Sequence, residues 1–106
     1  MGALLSRGRI VVLGDRYTVN AFGLIGVDGI IVEKAEDAEK HLKTLSKSGD
    51  VALILVTKDI ADLVQDTIEK ISMTLRIPVI SIIPSRWSDV KPIDAASLLK
   101  KALGVG

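Results

Sequence analysis

"VVLGDRYTVNAFGLIGVDGI", residues 11–30, runs from an apolar segment through a Gly-Asp turn into a stretch holding further glycines. With the two residues before it, the segment begins "RIVVL" at 9–13. Such a continuous aliphatic run marks a strand covered on both faces. Beyond Gly14 the spacing changes: Val19, Phe22 and Gly26 recur at helical intervals. Asp15 stands at the N-cap position, with Thr18 three residues on. Gly23 and Gly26 each weaken such a helix by about 1 kcal/mol relative to alanine. Both are therefore expected to admit the close approach of a neighbour.

A strand turning at once into a helix is half of a βαβ unit, and the rest of the chain repeats the pattern. "GIIVE" at 29–33 reads as a second strand. "AEDAEKHLKTLSKSG" follows as an amphipathic helix with Ala35, Ala38, Leu42 and Leu45 on one stripe. Its acids come first and its lysines last, as the helix dipole favours, and Gly49 supplies the stop. "VALILV" at 51–56 is the most apolar strand. Asp59 is expected to cap one long helix reaching about Arg76, with Ile60, Val64, Ile68, Ile71 and Leu75 facing inward. "PVISII" at 78–83 is a fourth strand bounded by prolines. "PSRWSDVKP" then connects to a last helix, expected from an Asp94 cap to Leu103, with Ile93 and Leu98 as its hydrophobic staple.

Strands alternating with helices predict a four-stranded parallel sheet with helices on both faces, in the flavodoxin or receiver manner. Residues 1–84 form the α/β domain in this reading, and 85–106 a proline-flanked linker with the C-terminal helix. At 106 residues one domain buries roughly two-thirds of the surface its unfolded chain exposes. With one Trp, one Tyr and one Phe, its core must be aliphatic.

Composition narrows the function. A formal charge of +1 without a concentrated basic face argues against nucleic acid. No cysteine is present, and His41 alone makes no zinc site, so no metal is expected. The apolar runs are strand-length, which predicts no membrane insertion. "MGALLSRGR" holds too short an apolar stretch for a signal peptide, and a cytoplasmic chain is expected.

Ligands of such sheets gather beyond the carboxyl ends of the strands. There the sequence places Gly14, Asp15 and Arg16, then Thr57, Lys58 and Asp59, then Pro84, Ser85 and Arg86. No P-loop occurs, and Arg16 stands where the dinucleotide fingerprint needs its second glycine. A phosphorelay receiver needs an acidic pair after strand 1 and an acceptor aspartate ending strand 3. Here Asp15 stands alone and strand 3 ends Val56-Thr57-Lys58. Ser85 has no base near it, and His41 lies in the charged helix. Trp87 either packs on its own domain or meets a partner. No catalytic set and no cofactor are expected. A receiver-like or small-ligand-binding regulatory domain stays open, on the element order and on Asp15 and Asp59.

The chain resembles the F subunit of V-type and archaeal A-type ATPases and ATP synthases. That family opens with an apolar strand, Gly-Asp or Gly-Glu, two variable residues, Thr-Val and a Phe-x-Leu-x-Gly helix. The matching positions are Gly14, Asp15, Thr18, Val19, Phe22, Leu24 and Gly26. "VISIIPSR" and "SLLKKALGV" match its later strand and its closing helix. Ala21 departs from a frequent glycine, and Gly23 from a usually larger residue. The resemblance implies a non-catalytic subunit of the central stalk, peripheral to a membrane-bound complex. It would bind the coiled-coil D subunit beneath an A and B head and couple or regulate ATP turnover and ion movement. Gly14, Asp15, Thr18, Phe22 and Gly26 would then serve the turn and its packing. Leu98, Leu99, Ala102, Leu103 and Trp87 are candidate interface residues.

Overall fold

The computed structural model describes residues 8–84 and 92–103, apart from the side chains of 92–94. Its elements alternate as the sequence predicts. Strand β1 spans Arg9–Gly14, helix α1 Arg16–Gly23, β2 Asp28–Ile31, α2 Ala35–Ser48 and β3 Val51–Thr57. Helices α3 (Lys58–Leu63) and α4 (Gln65–Thr74) lead to β4 (Val79–Ile83), and α5 spans Pro92–Ala102. The strands form one parallel sheet in the order β2-β1-β3-β4. All seven residues of β3 are buried, as expected of a central strand in a doubly covered sheet.

Alternation along the strands divides the core in two. Val11, Leu13, Ile54 and Val56 face α2, α3 and α4, where Leu42, Ile60, Val64, Ile68 and Ile71 cover them. Ile10, Val12, Leu53 and Leu55 face the other way, beneath Val19 and Phe22 of α1 and Ala95 and Leu98 of α5. Among the described residues, Phe22 is the aromatic member of an otherwise aliphatic interior. Glycines stand where layers approach most closely. A Cβ on Gly29 would lie 2.5 Å from a Val19 methyl and 3.0 Å from a Val12 methyl.

At the amino ends of the strands, Arg9 ties three of them together. Its Nε donates to Asp50 Oδ2 at 2.9 Å, just before β3, and its Nη1 to Asp28 Oδ2 at 3.3 Å, at the start of β2.

Four expectations are corrected. The long helix after β3 is two helices, broken at Val64, whose φ of −125° and ψ of 30° leave the helical region. Its N-cap is Thr57, not Asp59, because the strand runs straight into the helix with no intervening turn. The last helix begins at Pro92, where a missing N–H costs nothing. Asp94 is thus a third helical residue, not the cap, and the staple built on that cap falls with it. Finally, among the described residues nothing lies within 4 Å of a Cβ placed on Gly23 or Gly26, so neither admits a close neighbour there. Gly26 answers a different need: its φ of +87° ends the turn after α1.

Candidate functional site

In the order β2-β1-β3-β4 the crossovers leave β1 in opposite directions, and a crevice opens at the carboxyl ends of β1 and β3. An open cleft of about 450 Å³ occupies that place, lined by Asp15, Arg16, Tyr17, Val32, Glu33, Asp59 and Ile60. Three acids, a guanidinium and a phenol therefore meet at one rim.

The chain itself already engages two of the carboxylates. Asp15 is the N-cap of α1: its Oδ1 accepts the Thr18 N–H at 3.4 Å and its Oδ2 the Thr18 hydroxyl at 3.0 Å. The Asp15 carbonyl accepts the Val19 N–H at 3.0 Å, so the whole residue is engaged in starting the helix. Asp59 Oδ1 accepts the N–H of Ile60 at 2.9 Å. Lys58 Nζ donates to Asp62 at 2.6 Å, one turn along α3. Of these groups Asp15 starts a helix, while Asp59 and Lys58 bond within theirs.

Gly14 and Thr57, both expected at the rim, lie buried beneath it and against each other. A Cβ on Gly14 would collide with the Oγ1 and Cγ2 of Thr57. The Thr57 hydroxyl is fully buried and has no hydrogen-bond partner among the described residues. It occupies the end of β3, where a receiver carries its phosphoacceptor, and no phosphodonor can reach it there. Among the described residues, no group of three His, Asp or Glu side chains is placed to hold a metal ion.

With Ile60, expected only in the core, Tyr17, Val32 and Glu33 complete the cleft without having been predicted there. The signal was available for the last two: Val32 and Glu33 directly follow β2, a third strand end at the same edge of the sheet. Tyr17 is fixed by the helix that Asp15 caps. His41 sits half-buried on α2, away from the cleft. Leu98 is buried in the chain's own core, and Leu99, Ala102 and Leu103 pack partly buried against it. Ser85, Arg86 and Trp87 lie outside the described residues.

Residues 10–101 match the family model described as the ATP synthase (F/14-kDa) subunit. That span runs from the second residue of β1 to the penultimate residue of α5, and so takes in the sheet and the helices but for one residue at each end.

The chain belongs to that family.

Its curated relatives agree. The F subunit of the A-type ATP synthase of Methanothermobacter thermautotrophicus is 34% identical over 99 residues, covering 91% of this chain and 92% of the relative. The F subunit of the V-type ATP synthase of Clostridium perfringens is 35% identical over 99 residues, covering 92% of each. A third, the A-type F subunit of Methanocaldococcus jannaschii, is 31% identical over 99 residues, with 92% and 96% covered. No helix among the described residues of this chain is long and apolar enough to cross a membrane.

Proposed function

We propose that this chain is a non-catalytic central-stalk subunit of an A/V-type rotary ATPase or ATP synthase. It binds the long coiled-coil D-type subunit, on the cytoplasmic side of a membrane-bound complex and beneath the A and B head. There it couples or regulates ATP turnover and ion translocation. The observation that carries this reading is the family match over residues 10–101. The engagement of Asp15 by Thr18 supports it, since the acid best placed for chemistry is already occupied. Residues 1–84 act as the body. Residues 85–106 are a linker and helix, through which Leu99, Ala102, Leu103 and Trp87 meet a neighbouring subunit, while Leu98 holds the helix on the chain's own core.

The test is direct. Mixed with the D-type subunit of the same organism, the purified chain should elute as a stable 1:1 complex by size exclusion. Separate elution at micromolar concentration overturns the assignment. Repeating the mixture without residues 93–106 tests the last segment. A lost complex, with the shortened chain still folded by circular dichroism despite losing Ala95 and Leu98 from its core, supports contact through it, and unchanged affinity returns the interface to the body.

The open cleft at the β1/β3 switch point gives a second reading, a small-ligand-binding regulatory domain. Mg²⁺ with acetyl phosphate, or a panel of nucleotides, would then raise the melting temperature. No shift with any of them removes it.

A further inference from the structure

We draw no further inference here: the strongest candidate, the polar cleft at the carboxyl ends of β1 and β3, belongs to the site already described, and nothing independent there points to a ligand, since its Asp15 caps α1 and the buried Thr57 hydroxyl lies against Gly14, outside the cleft lining.

Discussion

Gly14 and Thr57 share a space that fits one side chain. They come from the ends of β1 and β3, and the glycine is required because the threonine fills its Cβ position. Gly14→Ala should therefore destabilise the fold by about 1–3 kcal/mol, as overpacking of a well-filled interior does, measured by urea unfolding. Thr57→Val keeps the shape and removes a hydroxyl without a partner among the described residues. Its expected effect is a gain of about 1 kcal/mol, because an unpaired buried donor carries its desolvation cost into the native state. The same denaturation curve decides, and a loss of stability would mean that the hydroxyl is satisfied. Asp15→Ala removes the cap of α1 and should cost about 1 kcal/mol. The Gly-Asp turn was legible in the sequence because it is local. Its dependence on Thr57 was not, because the two residues meet only once β1 and β3 pair.

Among the elements, the two glycines after Phe22 make opposite predictions. Gly23 ends α1 with open space around it, so Gly23→Ala should stabilise by up to about 1 kcal/mol through helix propensity alone. Gly26 has a φ of +87°, and Gly26→Ala should cost about 1–2 kcal/mol. Opposite shifts of the two thermal midpoints check the pair. The sequence pattern grouped these glycines because spacing reveals neither φ nor the room around a Cβ. The order of elements along the chain and two-sided burial were legible, since uninterrupted aliphatic runs alternated with amphipathic stripes. The break at Val64 was hidden for the opposite reason. Ile60, Val64, Ile68 and Ile71 all reach the same core across it, so the apolar period continues while the backbone bends. Likewise, Asp59 and Asp94 looked like caps by residue type. Each lies inside its helix because Thr57 and Pro92 start those helices earlier.

For the whole molecule, the cleft and the Arg9 clasp occupy opposite ends of the sheet, the carboxyl and the amino. The clasp has a pH dependence of known sign. The Asp50 carboxyl is held below the usual carboxylate range, first by a hydrogen bond from Ser48 and then by Arg9. A carboxylate with a depressed folded-state pKa contributes stability above its unfolded pKa and loses it as pH falls through the folded value. Unfolding midpoints should thus decline below the ordinary carboxylate range, and Asp50→Asn should flatten that decline. An unchanged acid limb in the variant would remove Asp50 from the account. The central pairing carries a further consequence. β1 is flanked by β2 and β3, and its register with β3 joins Arg9 to Val51 and Leu13 to Val56. During synthesis, the amino-terminal half therefore emerges with β1 open along one side until Thr57 has left the ribosome. A nascent chain stalled before that point should be protease-sensitive and dependent on chaperones, and one stalled after it progressively resistant.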